Sequence, residues 1–294
     1  MKIIDMAKSN ELGARSCKYL ISLAKGESVE IALFEFEERI VICCSSQIGC
    51  SFSCRHCATT YSNPQFVRNL THLELMEIIK LILNHVNLND AKDIVLDFSG
   101  VGDCSSNWNA VRIASSELVN TGVIKRYFFT SIAPQKWCEK IVFDMEREYT
   151  APSKIMISLH GYDLESRRMI IPNAEDPQKS MTWWKKLKRT NVKIHFNYVI
   201  HSGNSSRQGI KKIADLINSQ ADWIDVLRLS HLNYVEKSNI IPSQDIDGVI
   251  SEIQSLIESK IQVVKFLPIG VENTFACGQM RAYYNAPMDP DGHC

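Results

Sequence analysis

Residues 39–57 read RIVICCSSQIGCSFSCRHC, a short β-type run that enters a loop crowded with sulfur. Five of the chain's ten cysteines fall between Cys43 and Cys57. Within the loop, Cys50, Cys54 and Cys57 are spaced C-x3-C-x2-C. A structural zinc site asks for four ligands, usually in two short pairs, and no second pair at that spacing follows. Three closely spaced thiolates suit three irons of a four-iron, four-sulfur cluster, with one iron left open to a small ligand. Buried free thiols are the bland alternative. Gly49, Ser51, Ser53, Arg55 and His56 around them are not core residues, so that alternative fits poorly.

The rest of the chain supplies the frame for this loop. Apolar runs at 39–45, 93–100, 126–131, 154–160, 193–200, 225–230 and 263–268 read as strands. Helical patterns near 71–86, 108–120, 136–147, 179–190, 207–219 and 244–259 separate them. In THLELMEIIKLILNHV the 3.6-residue rhythm is plain, with Thr71 as N-cap and Glu74 three residues on. VEIALFEFEE, ahead of residue 39, reads as an extra strand hairpinned to the next. Near-continuous apolar strands alternating with helices predict an α/β fold, a parallel sheet with helices outside, as an open or partial (β/α)6 barrel. Such folds build their sites at the C-terminal ends of the strands, where the cysteine loop lies. One domain is expected over 1–294: an N-terminal β extension (1–38), a barrel core (39–270) and a C-terminal loop (271–294).

Composition bounds the function. The chain has 294 residues, 45% hydrophobic and 22% charged, as ordinary globular proteins are. No run of about 18 apolar residues appears, so no membrane span is expected. The opening MKIIDMAKSNELGARS has no apolar signal core, which predicts a cytoplasmic protein with reduced thiols. Basic and acidic residues number 33 each, without the surplus usual for nucleic-acid binding. The densest basic run, KSMTWWKKLKRTNVK (179–193), has two readings. One is an RNA-facing surface with stacking tryptophans. The favoured one is an amphipathic helix that buries Trp183, Trp184 and Leu187 and leaves its lysines in water.

Four motifs in order, CCSSQIGCSFSCRHCATT, FVRNLTHLELMEII, ISLHGYDLESRRMIIP and FACGQM, make residues 28–281 resemble the RlmN/Cfr family of radical SAM RNA methyltransferases. The resemblance implies a 4Fe-4S cluster on Cys50, Cys54 and Cys57 that binds S-adenosyl-L-methionine. It implies that Cys277 carries a methyl group to the substrate, and that Cys43, seven residues before Cys50, resolves the covalent intermediate by forming a disulfide. Glu30, thirteen residues before Cys43, is then the proton acceptor, and Cys44 merely packs. By the same resemblance one S-adenosylmethionine methylates Cys277 and a second is cleaved reductively. The radical so made takes hydrogen from the S-methyl group, and the new carbon radical adds to the ring. The route makes sense because C2 of adenine is not a nucleophile.

Contacts to S-adenosylmethionine carry over to Gly102 and Asp103 in GVGDCSSN and to Ser158, Leu159 and His160 in SLH. Further contacts fall near Thr130 and near Ser230 or Asn233. His56 replaces an aromatic residue, Thr60 a glycine, Asp103 a glutamate, and Phe128 a serine of the family pattern. The family's separate N-terminal RNA-gripping domain has no counterpart in the roughly thirty residues before the core. The expected function is methylation of an sp2 carbon of adenosine in rRNA or tRNA, at C2 or C8, with flavodoxin or ferredoxin as electron donor. The same chemistry on a small molecule or peptide is the second reading, and a non-catalytic iron–sulfur or zinc protein is the third. Cys43, Cys277 and Glu30 argue against the third, because a binding module needs no separated reactive groups.

Overall fold

The computed structural model describes residues 1–11, 14–62, 65–86, 93–147, 152–189, 191–232, 237–266 and 279–280. Three antiparallel strands open the chain, β1 (Lys2–Glu11), β2 (Ala14–Ser22) and β3 (Ser28–Glu35), and β4 (Arg39–Cys44) pairs antiparallel with β3. After β4 come a short hairpin, β5 (Gln47–Gly49) with β6 (Phe66–Asn69), and helix α1 (His72–His85). Strands then alternate with helices: β7 (Asp93–Phe98), α2 (Trp108–Asn120), β8 (Arg126–Ser131), α3 (Gln135–Met145) and β9 (Lys154–Ser158). Helices α4 (Leu164–Ile170) and α5 (Pro177–Trp184) lead to β10 (Lys193–Ile200). The described part of the sheet closes with α6 (Arg207–Asn218), β11 (Val226–His231), α7 (Ile246–Leu256) and β12 (Gln262–Phe266).

Ten strands form one sheet in the order β1-β2-β3-β4-β7-β8-β9-β10-β11-β12, and all pairs from β4 onward are parallel. Seven parallel strands joined by six crossovers are the repeating βα units expected from the sequence. Alternation explains the two faces. Ile40, Ile42 and Cys44 of β4 are buried, as are Tyr127 and Phe129 of β8 and Ile194 and Phe196 of β10, in one core with residues of the helices. Their neighbours Cys43, Asp97, Phe128, Lys154, His195 and Arg228 point to the opposite, open face and are only half-buried. Cys44 packs in the core, as expected.

Local chemistry sets the helix starts. Thr71 Oγ1 accepts from Glu74 N–H at 3.2 Å while Glu74 accepts from Thr71 N–H at 2.9 Å, the capping box read from the sequence. The N-terminal hairpin β1–β2 is absent from the expected elements: β1 is an edge strand whose charged and apolar residues face water alike, and β2, though buried, carries Ser16, Cys17 and Lys18 in place of an apolar run. Helix α4 was missed because seven residues are too few to show a period. The expected helix at 179–190 runs instead over 177–184 and ends in a 3-10 turn, 185–187. Its basic residues engage acids: Lys185 with Asp222 at 2.5 Å, Lys188 with Asp225 at 2.6 Å and Arg189 with Glu146 at 3.3 Å. Trp184 and Leu187 are fully buried and Trp183 is half-buried, so the run is a solvated helix face.

Candidate active site

The cysteine loop hangs between β5 and β6. Gly49 at φ 80° turns the chain so tightly that a side chain there would strike the backbone of Gln65 and Phe66. Cys50 N–H donates to Gln65 O at 2.9 Å just beyond. Thr60 Oγ1 donates to Cys54 O at 2.7 Å, and Cys57 N–H donates to the same carbonyl at 3.0 Å. Arg55 N–H donates to Ile170 O at 2.8 Å, which moors the loop to the end of α4.

Burial pushes the Cys50 thiol up to about 12, and the nearby Asp103 and Cys57 add to the rise. Burial also holds Cys54 well above the usual thiol range, with the charges of Cys57 and Cys50 next in weight. The three thiols are therefore close enough to feel one another. Bare, Cys50 and Cys54 hold their protons, and a bound metal would release them. Among the described residues no three Cys, His, Asp or Glu side chains converge on one ion. A four-iron cluster does not ask them to, since each thiolate meets a different iron. The donor set thus fits a cluster: three gathered thiols on a loop fixed by its own backbone.

Beside the loop, the turn after β7 is cross-braced. Gln47 Oε1 accepts from Asp103 N–H at 3.0 Å, and Gln47 Nε2 donates to Asn69 Oδ1 at 2.7 Å. Asn107 Nδ2 donates to Ser46 O at 2.7 Å and Leu70 O at 2.8 Å. Gly102 sits at φ +99°, where a Cβ would come within 2.6 Å of the Gln47 side chain. Asp103 is buried, and its carboxylate accepts from Ser105 Oγ (2.5 Å), Ser105 N–H (2.9 Å), Ser131 Oγ (2.7 Å) and Ile132 N–H (2.8 Å). These bonds clamp the turn to the end of β8.

Ser158 ends β9, Leu159 follows, and His160 comes next at φ 51°. His160 is buried; its Nδ1 accepts from Val199 N–H at 3.2 Å, and its ring stands edge-on to His56 at 5.0 Å. Burial drives His160 well below the usual imidazole range, with His56 the next cause, and lowers His56 and His201 to about 4. All three are neutral at physiological pH.

Arg167, inside ISLHGYDLESRRMIIP, is not among the site residues expected from the sequence. It lies buried on α4, on the face of Ile170. Its Nε donates to Leu159 O at 3.0 Å, Nη1 to Glu175 O at 2.8 Å, and Nη2 to Ile132 O at 2.9 Å and Ser158 O at 3.2 Å. One guanidinium thus ties the ends of β8 and β9 together beneath the cysteine loop. An arginine at helical spacing from an isoleucine was the available signal.

Glu30 and Cys43 lie on one face of the antiparallel pair. Ala32 is opposite Cys43, so Glu30, two residues along, shares its face. Glu30 is buried beside Lys18 of β2 at 2.7 Å, and Ser45 Oγ donates to its backbone oxygen at 2.6 Å. Cys43 Sγ lies 3.4 Å from Ser99 Oγ. Cys277 lies outside the described residues, as does Asn233; Gln279 and Met280, just beyond Cys277 in the chain, are buried. No disulfide joins the described cysteines.

This fold, with a thiol loop at the strand ends, matches that of a solved radical SAM methyltransferase. A radical SAM methyltransferase from Sphaerobacter thermophilus superposes with a TM-score of 0.76 over 95% of this chain and 80% of its own, at 21% identity. Along nearly its whole length the chain is similar to proteins named RlmN, at low identity. It is 25% identical over 99% of its length to a probable dual-specificity RNA methyltransferase RlmN of Clostridium beijerinckii, covering 80% of that protein. The RlmN of Carboxydothermus hydrogenoformans is 27% identical over 97% of this chain and 81% of its own. No family model matches the chain.

Proposed function

We propose that the chain is a radical SAM methyltransferase that methylates an sp2 carbon of adenosine in RNA, at C2 or C8. The observation that carries the reading is the shared face of Glu30 and Cys43, next to a loop that gathers Cys50, Cys54 and Cys57. RNA enters through the relatives, which are named RNA methyltransferases along nearly the whole chain. The relatives are called dual-specificity RNA methyltransferases, which supports RNA as the substrate class.

Cys50, Cys54 and Cys57 would hold a 4Fe-4S cluster, which when bound supplies reductive cleavage of S-adenosyl-L-methionine. The chain's own residues do the rest. The turn at Gly102 and Asp103, fixed by Gln47 and Asn107, offers backbone groups beside the cluster loop, and Ser158, Leu159 and His160 border it across the strand ends. Neutral His56 and His160 present uncharged rings there, suited to a sulfonium. Cys277 would carry the methyl group, Glu30 would take the ring proton, and the Cys43 thiolate would attack the Cys277 sulfur to free the product. The electron donor is of the flavodoxin or ferredoxin kind, and the working compartment is the cytoplasm. Among the described residues no helix is long and apolar enough to cross a membrane.

Anaerobic reconstitution with iron and sulfide, followed by S-adenosylmethionine, a reductant and RNA, tests the proposal. Methyladenosine is expected in the RNA digest, and Cys50→Ala should abolish both it and the ~400 nm cluster absorbance. A chain that takes up zinc alone and never methylates would favour a non-catalytic metal protein.

A further inference from the structure

The open face carries charge that methyl transfer does not use. Lys154 begins β9 and Arg228 lies in β11, with β10 between them. Arg228 Nη1 donates to Met156 Sδ at 2.8 Å, so the guanidinium reaches back over β10 to within two residues of Lys154. Its Cζ stands 4.0 Å from the centroid of the Phe266 ring, and Lys154 Nζ stands 4.1 Å from that of Phe128. Among the described residues neither cation is paired with a carboxylate. Asp97 of β7 is the acid whose charge reaches both, and its Oδ1 is buried without a hydrogen-bond partner. His195, on β10 between the two cations, is driven down to about 3 by burial and by their charges, and so contributes none.

Two cations held together over aromatic rings, with one carboxylate at a distance, are costly unless something anionic joins them. The cost shows on Lys154, which burial and then Arg228 lower to about 8. A planar guanidinium beside an ammonium matches the oxygens of a phosphate. Register places the pair relative to the chemistry: Cys43, Asp97, Phe128 and Lys154 occupy one row across β4, β7, β8 and β9. Three strand spacings make that row roughly 14 Å long, and the Lys154 and Arg228 side chains shorten the gap.

We propose that Lys154 and Arg228 form a phosphate site on the open face, which holds the phosphate of the nucleotide while its base is methylated near Cys43. The inference rests on the RNA methylation reading. The phosphate could belong to an RNA strand or to a free nucleotide, and the test separates the two.

Binding to the chain without cluster is measured by calorimetry with adenosine, adenosine 5′-monophosphate (AMP) and inorganic phosphate, and with a short single-stranded RNA as competitor. AMP should bind at least tenfold more tightly than adenosine, and inorganic phosphate should displace it. Lys154→Met and Arg228→Met should each remove most of that preference while melting no lower than the unsubstituted chain, since each deletes a desolvated like charge. Displacement of AMP by RNA places the phosphate in a strand. An AMP preference that RNA does not compete away keeps the phosphate site but turns the substrate into a free nucleotide, against the RNA reading. Equal binding of AMP and adenosine, no binding of AMP, or variants that keep the preference yet melt lower would each overturn the phosphate site.

Discussion

Asp103 shows what a single residue can and cannot announce. Its place in GVGDCSSN signals a carboxylate beside the cysteine loop. The four donors that fill its lone pairs come from Ser105, Ser131 and Ile132, two of them distant in sequence, so its role as a clamp was not legible. Asp103→Ala should destabilise the chain by about 2–4 kcal/mol in urea unfolding, because buried donors lose their acceptor. Gly49 was legible only as a residue foreign to a core, yet its φ of 80° against the Gln65 backbone leaves no room for a methyl group. Gly49→Ala should lower iron uptake on reconstitution several-fold while the far-ultraviolet dichroism stays unchanged. Normal iron content in that variant would mean that the turn does not set the thiols.

Elements were read where apolar residues run together. Six of the seven parallel strands, β4 and β7 to β11, stand out as apolar runs because one face packs in the core against helices, whereas β12 is largely exposed. The Thr71–Glu74 capping box was legible because capping is local chemistry, and Thr71→Ala should cost about 1 kcal/mol in chemical denaturation. The β1–β2 hairpin was not legible, yet it supplies Lys18, which sits 2.7 Å from Glu30 with both side chains almost wholly buried. Removing one partner of such a pair strands the other charge, so Lys18→Met should destabilise by roughly 3–5 kcal/mol. Adding Glu30→Gln should restore much of that loss, and no recovery in the double variant would mean that the pair is not coupled. The hairpin thus fixes Glu30 as well as extending the sheet edge.

Across the whole molecule, buried neutral histidines gather on one side. Burial holds His56 and His201 at about 4 and His160 lower still, all below the ordinary 6.5 of the unfolded chain. The unfolded chain therefore takes up protons first as pH falls. The stability these residues contribute is complete above about pH 6.5 and drains away toward pH 4, by ~1.4 kcal/mol per pH unit for each excess proton. Urea midpoints of the cluster-free chain should fall from pH 7.5 to pH 5, and a flat profile would refute the neutral cluster. The fold, the thiol loop and the sequence of motifs were all legible in one dimension. The charged open face was not, because Asp97, Lys154 and Arg228 are separated by scores of residues and meet only through strand register.

The most direct measurement is the intact mass of a reconstituted Cys43→Ala variant after incubation with S-adenosylmethionine, reductant and RNA. If Cys43 frees the product, protein covalently joined to RNA should accumulate, with the link mapped by peptide digestion to Cys277. Release of methylated RNA by that variant at the rate of the unsubstituted chain, with no adduct, would contradict the account.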